Sequence, residues 1–186
     1  MLSINHLPNH LSGEKVEKIV RRDLFILFKR VVMLLFLTIL PLLFFYLMLS
    51  VYPGILGSVL PNALIVLGTS IYYLFVWLFF GFSFIDYYLD VWIITNRRII
   101  DIQQQGFFSR IVAEQKLFRV QDVTSESHGI LPTFLKYGEV YIQTAGTKQR
   151  FVFHEVPAPH GIRDLIISLV EKNKRKMIEG EKLAKK

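Results

Sequence analysis

From Val31 to Ile85 the chain contains no Asp, Glu, Lys or Arg, and Leu, Phe, Ile and Val dominate the run without polar alternation. An ionised side chain costs several kcal/mol in hydrocarbon, so a segment of this length and character reads as membrane-embedded. An apolar slab of roughly 30 Å takes about 20 helical residues, so the run fits two crossings and a connection. Between Ser50 and Asn62 stand Pro53, Gly54, Gly57 and Pro61, where a helix has to turn back. The pattern predicts helix one near 29–50 and helix two near 61–86, with Pro41 kinking the first. A cleaved signal peptide is excluded, because its apolar core is only about 7–15 residues long and lies near the start.

On the N-terminal side, residues 1–13 lack periodicity. From Glu14, the positions Val16, Ile19, Val20, Leu24, Leu27 and Phe28 fall near helical spacing with Lys15, Lys18, Arg21 and Arg22 between them, so residues 1–28 read as an arm carrying an amphipathic helix. Such a helix lies either on the inner leaflet or against the soluble domain. Tyr87 and Tyr88 end an aromatic-rich run and mark the water–lipid boundary.

Beyond Asp90 the period changes from helix to strand. Val91–Thr95 is β-branched and aromatic, Asn96 supplies turn chemistry, and Arg98, Ile100 and Ile102 alternate with Ile99, Asp101 and Gln103. Further strands are expected over 107–118, from Val120, around Val140–Gln143 and around Phe151–His154, with a single helical turn at Thr133–Tyr137. Short strands at this spacing indicate an antiparallel sandwich or small, partly open barrel of about seven strands. Ile162, Leu165, Ile166, Leu169 and Val170 then mark an amphipathic helix that closes the sheet, so the domain spans 87–173 and a solvated basic tail 174–186.

Charge refines this picture. Net charge is +7, but residues 86–156 carry eight basic and eight acidic side chains; the excess lies in residues 1–30 and 157–186. A neutral domain argues against nucleic acid as a partner. Basic arms beside the spans, with an uncharged connection between them, place both termini in the cytoplasm of a multi-pass protein of the cell (inner) membrane. The absence of cysteine agrees with a reducing compartment.

Several short runs resemble, in order and spacing, the bacterial pleckstrin-homology-like family of the YdbS type. They are Thr95-Asn96-Arg97-Arg98-Ile99-Ile100, Gly106-Phe107-Phe108, Arg119-Val120-Gln121-Asp122-Val123, Leu135-Lys136-Tyr137-Gly138 and Val140-Tyr141-Ile142-Gln143-Thr144-Ala145-Gly146. The resemblance covers about 90–170 and implies two nearly orthogonal sheets capped by the C-terminal helix. It also implies an interaction or oligomerisation module at the membrane, with no catalytic residue to carry over. Eukaryotic phosphoinositide-binding members of the wider fold use a denser basic cluster at the first hairpin than the pair present here.

The matching positions read mainly as structural. Gly106, Gly138 and Gly146 allow positive φ, Asn96 suits a turn, Asp122 caps local backbone, and Thr95, Gln121, Tyr137 and Thr144 belong to the same motifs. Arg97 and Arg98, soon after the membrane exit, with Arg21 and Arg22 in the N-terminal arm, are the candidates for contact with lipid headgroup phosphate. No catalytic constellation is present. The five histidines show no metal-ligand spacing, there is no nucleophile elbow or P-loop, and Asp122, Ser125, Ser127 and His128 are too close along one strand for a triad. The sequence therefore points to a non-enzymatic protein without metal or cofactor. Its partners are the bilayer and a membrane or cytoplasmic protein, including a second copy of itself; anionic lipid is the alternative ligand.

Overall fold

The structure is a computed structural model that describes residues 13–52, 54, 59–106, 109–144 and 151–184. It divides into two units. One comprises Leu24–Tyr87, and the other is assembled from the chain on both sides of it, up to Asp23 and from Tyr88 onward.

The first unit is a helical pair, α1 (Leu24–Val51) and α2 (Val59–Leu89), each long and apolar enough to cross a membrane. Both run past the boundaries expected from charge alone. Pro41 sits inside α1 and has no N–H to donate to the carbonyl of Leu37, four residues earlier. Tyr72 of α2 supplies the missing donor, its hydroxyl 2.9 Å from that oxygen, and Tyr73 donates to the Thr38 carbonyl at 3.0 Å.

The second unit contains two antiparallel sheets and a long helix. The four-stranded sheet has the order β1 (Val16–Arg21), β2 (Val91–Thr95), β3 (Arg98–Gln105), β4 (Ser109–Lys116). A 3₁₀ turn, Leu117–Arg119, leads to the three-stranded sheet of β5 (Val120–Glu126), β6 (Tyr137–Thr144) and β7 (Phe151–Pro157). A short helix, α3 (Ile130–Leu135), joins β5 to β6, and α4 (Pro159–Ala184) closes the chain. Alternate residues of both sheets meet one face of α4 in a single core. Val20, Trp92, Ile94, Ile99, Leu117, Val140, Ile142, Phe153, Ile162 and Ile166 are all buried there, with the Trp92 ring stacked on Phe153.

The amphipathic helix expected within residues 1–28 is a β-strand. β1 pairs with β2 from Val16 to Arg21, and an irregularity between Val16 and Lys18 inserts an extra residue. That bulge puts Val16 and Ile19, three apart, on the same side of the sheet and so imitates a helical period. Two further boundaries differ. The helical turn lies at Ile130–Leu135 rather than Thr133–Tyr137, and α4 continues as helix to Ala184 through the segment expected to be a tail. The expected turn at Gly146 and the Phe107-Phe108 pair lie outside the described residues.

Candidate functional site

The sheets give the second unit two distinct ends. At one end the chain leaves for α1 and returns from α2. Arg22 and Asp90 form an ion pair of 2.6 Å there, and the other Asp90 oxygen accepts the N–H of Gln104 at 2.9 Å. Arg22 also approaches Glu155 at 3.5 Å, and the Asp23 N–H donates to the Glu155 carbonyl at 2.7 Å. Burial, with Glu155 and Asp23 close by, raises the Tyr137 hydroxyl above its ordinary pKa. The start of β6 therefore belongs to this end too.

Asp101 lies deeper. Burial first, then the nearby Asp90 carboxylate, push its pKa up to about 6, against the hydrogen bond from Gln103 and the pull of His154. Asp101 Oδ1 and Trp92 Nε1 sit on cross-strand partners, both buried, yet neither meets hydrogen-bond geometry; the indole dipole stabilises the carboxylate only weakly. At the neighbouring Glu139, burial opposes ionisation, but the Tyr141 hydroxyl and His154 together hold the group below its ordinary pKa.

The opposite end is built around the β2–β3 turn. Asn96 exchanges hydrogen bonds with Lys15 (2.9 and 3.0 Å), donates to the Gly13 carbonyl, and receives the Asn173 side chain of α4 on its own carbonyl at 2.7 Å. Beneath the turn, Arg98 is 4% exposed and pairs with Glu14 at 2.8 Å and Glu114 at 2.6 Å. Its hydrogen bond to Glu14 raises the guanidinium pKa further, against desolvation. Thr95 Oγ1 lies 2.8 Å from both a Glu14 oxygen and the Arg98 carbonyl and accepts the Arg98 N–H.

These positions separate the four arginines expected as candidates for headgroup contact. β2 carries the chain away from Asp90, so the Asn96-Arg97 turn is a strand length, roughly 16 Å at 3.3 Å per residue, from where the chain joins α2. Arg98 is buried in internal ion pairs and Arg22 is engaged with Asp90; neither is presented to solvent as a phosphate ligand. Arg97 is exposed, but at the far end. Arg21 is exposed and sits over the Tyr88 ring at 5.7 Å, at the end where the chain joins the helices. The four arginines do not form one site.

The motif residues also separate. Asp122 accepts the Val123 N–H at 2.8 Å beside a β-bulge, and Gln121 and Thr144 occupy the β5–β6 ladder at the same place. Gly106 has φ 68° as a turn glycine should, whereas Gly138 is not among the positive-φ residues; that role falls to Lys136 (φ 58°). Gly138 is needed for space, since a Cβ there would stand 2.3 Å from the Glu126 carbonyl. Sequence reasoning missed Glu14, Asp90, Asp101 and Glu155. A signal for two of them was the rarity of acids so near apolar strands, but their partners lie up to 133 residues away.

The family model for the bacterial PH domain matches residues 24–170. The chain belongs to that family. Among solved structures, this bacterial PH domain protein is similar to a DUF1696-family protein with a pleckstrin-homology domain from Shewanella loihica PV-4, at 20% identity and a TM-score of 0.37. That match covers 44% of this chain and 70% of the other. No curated protein matches it. The matched region begins at Leu24, so β1, which completes the first sheet of this PH domain, lies outside it.

Proposed function

We propose that the protein is a non-enzymatic, membrane-anchored PH-domain protein of the YdbS type. α1 and α2 hold the domain at the cytoplasmic face of the cell membrane, where it binds a protein partner or a second copy of itself. The observation that carries this reading is the edge of β4: among the described residues its eight positions pair with β3 on one side only, and Ile111 and Val112 are both exposed. An open edge is a template for strand addition from another chain. Its flanking Arg110, Glu114 and Lys116 restrict which strand fits.

Crosslinking and sedimentation of the full chain in mild detergent test this. Association should be seen with the native chain and lost in the Ile111→Lys, Val112→Lys double variant, because lysine on an edge strand opposes pairing. A native chain that is strictly monomeric and crosslinks to nothing in cells overturns the reading. Since the chain has no cysteine of its own, single cysteines at Ser58 and Ser168 report orientation. In intact cells an impermeant thiol reagent should label position 58 and leave position 168 unmodified.

A second reading, contact with anionic lipid headgroups, is favoured by Arg21 over Tyr88 beside the helix connections. The two readings separate in reconstituted vesicles: Arg21→Ala should weaken dependence on anionic lipid without altering association.

A further inference from the structure

α3 buries none of its own residues. Ile130 is 89%, Leu131 56% and Phe134 82% exposed, three large apolar side chains on a single helical segment. Scattered exposed apolar residues are ordinary on soluble proteins; a tight group of them marks a contact surface.

The segment is held in place from below. Gly129 (φ 101°) opens it, and the N–H and hydroxyl of Thr133 both return to the Gly129 carbonyl, at 3.3 and 2.7 Å. Lys136 in the left-handed region closes it, and its carbonyl accepts the Ala158 N–H at 2.8 Å. Ser127 Oγ donates to the Tyr137 carbonyl at 3.1 Å, and Gly138 packs directly on the Glu126 carbonyl. The apolar side chains are thus displayed on a fixed base.

The placement of that base indicates what covers them. α3 leads straight into Tyr137, which pairs with Pro157 two residues beyond Glu155, and the Glu155 carbonyl accepts the N–H of Asp23, the residue before α1. From Asp23 to Val31, where charge disappears, the chain spans only about 12 Å at the helical rise of 1.5 Å per residue. The headgroup layer of one leaflet is roughly 5–7 Å deep. The exposed Lys136 directly after the apolar group suits anionic headgroups.

We propose that α3 is a second membrane contact, with Ile130, Leu131 and Phe134 entering the headgroup–acyl boundary of the bilayer that holds α1 and α2. This rests on the anchored reading above.

The test uses the full chain in lipid vesicles with one bimane-labelled cysteine at a time: Phe134→Cys, Ile130→Cys, Arg97→Cys at the far end, and Leu67→Cys within α2. Nitroxide carried on lipid should quench positions 134 and 130 several-fold more than position 97, and aqueous iodide should do the reverse. If position 67 is quenched by lipid-borne nitroxide while 134 and 130 behave like 97, this inference is wrong and the anchor stands. Protection of 134 from both quenchers means that a protein covers α3, which also overturns it. If position 67 escapes lipid-borne nitroxide, the anchor fails and the α3 contact with it.

Discussion

Arg22 Nη2 lies 2.6 Å from Asp90 Oδ2, which joins the residue two before α1 to the residue that follows α2. With the Asp23–Glu155 backbone hydrogen bond, this pair closes the PH domain across the point where the helical pair is inserted. The domain is therefore complete without the helices but not without the residues before them.

Excision follows directly. Joining Asp23 to Tyr88 through a short Gly-Ser linker should yield a soluble, cooperatively unfolding domain, because both ends of the cut are already in contact. A fragment beginning at Asp86 lacks β1, which supplies Val20 to the core, and lacks Glu14, the partner of buried Arg98. It should melt without cooperativity or fail to fold. Circular dichroism and thermal unfolding of the two polypeptides compare them directly.

Arg98 and Arg97 are neighbours with opposite expectations. Arg98→Ala leaves Glu14 buried without its cation and should destabilise the excised domain by about 3–5 kcal/mol in urea unfolding. Arg97→Ala, at an exposed turn position, should stay within about 0.5 kcal/mol of the native domain. Neither should change vesicle binding by the full chain, since one side chain is internal and the other lies at the end away from the helix connections.

What the sequence disclosed follows the range of its signals. The two long apolar helices rest on an uninterrupted uncharged run, the β2–β3 hairpin and the buried face of α4 on local periodicity, and Ile162, Ile166 and Leu169 are buried as that periodicity requires. β1 was illegible because a bulge disguised its period and its partner strand lies some 70 residues on, beyond the helical pair. The arginines misled for a related reason. Arg98 looks like a surface cation until Glu14, 84 positions earlier, is brought against it. Arg97 follows the spans closely in sequence order, yet β2 puts it a strand length from the point where the chain leaves α2.

The Tyr72 hydroxyl and the Leu37 carbonyl compensate for Pro41, and that compensation is measurable. Tyr72→Phe should destabilise the full chain in detergent by about 1 kcal/mol, because the freed carbonyl has no donor in an apolar setting. In a Pro41→Ala background the backbone N–H is restored and pairs with Leu37 itself, so the same substitution should cost close to nothing. The double-mutant cycle thus isolates this contact from the rest of the helix pairing.

Asp101 gives the domain a pH dependence of defined sign. Its pKa is raised from 3.8 to about 6 on folding, so between these values the folded chain binds more protons than the unfolded one. Stability is therefore greatest below this window, falls as pH rises through it, and stays reduced above about 6. The whole shift corresponds to about 3 kcal/mol at 1.36 kcal/mol per unit, and solvent screening reduces this to about 1–2 kcal/mol. Asp101→Asn removes the charge but keeps an acceptor beside Trp92 Nε1. Urea unfolding of the excised domain at pH 7.5 should show the variant more stable by that amount, with the advantage shrinking as pH is lowered. An Asn variant equal to the native domain at pH 7.5 would mean that Asp101 ionises in the fold without penalty.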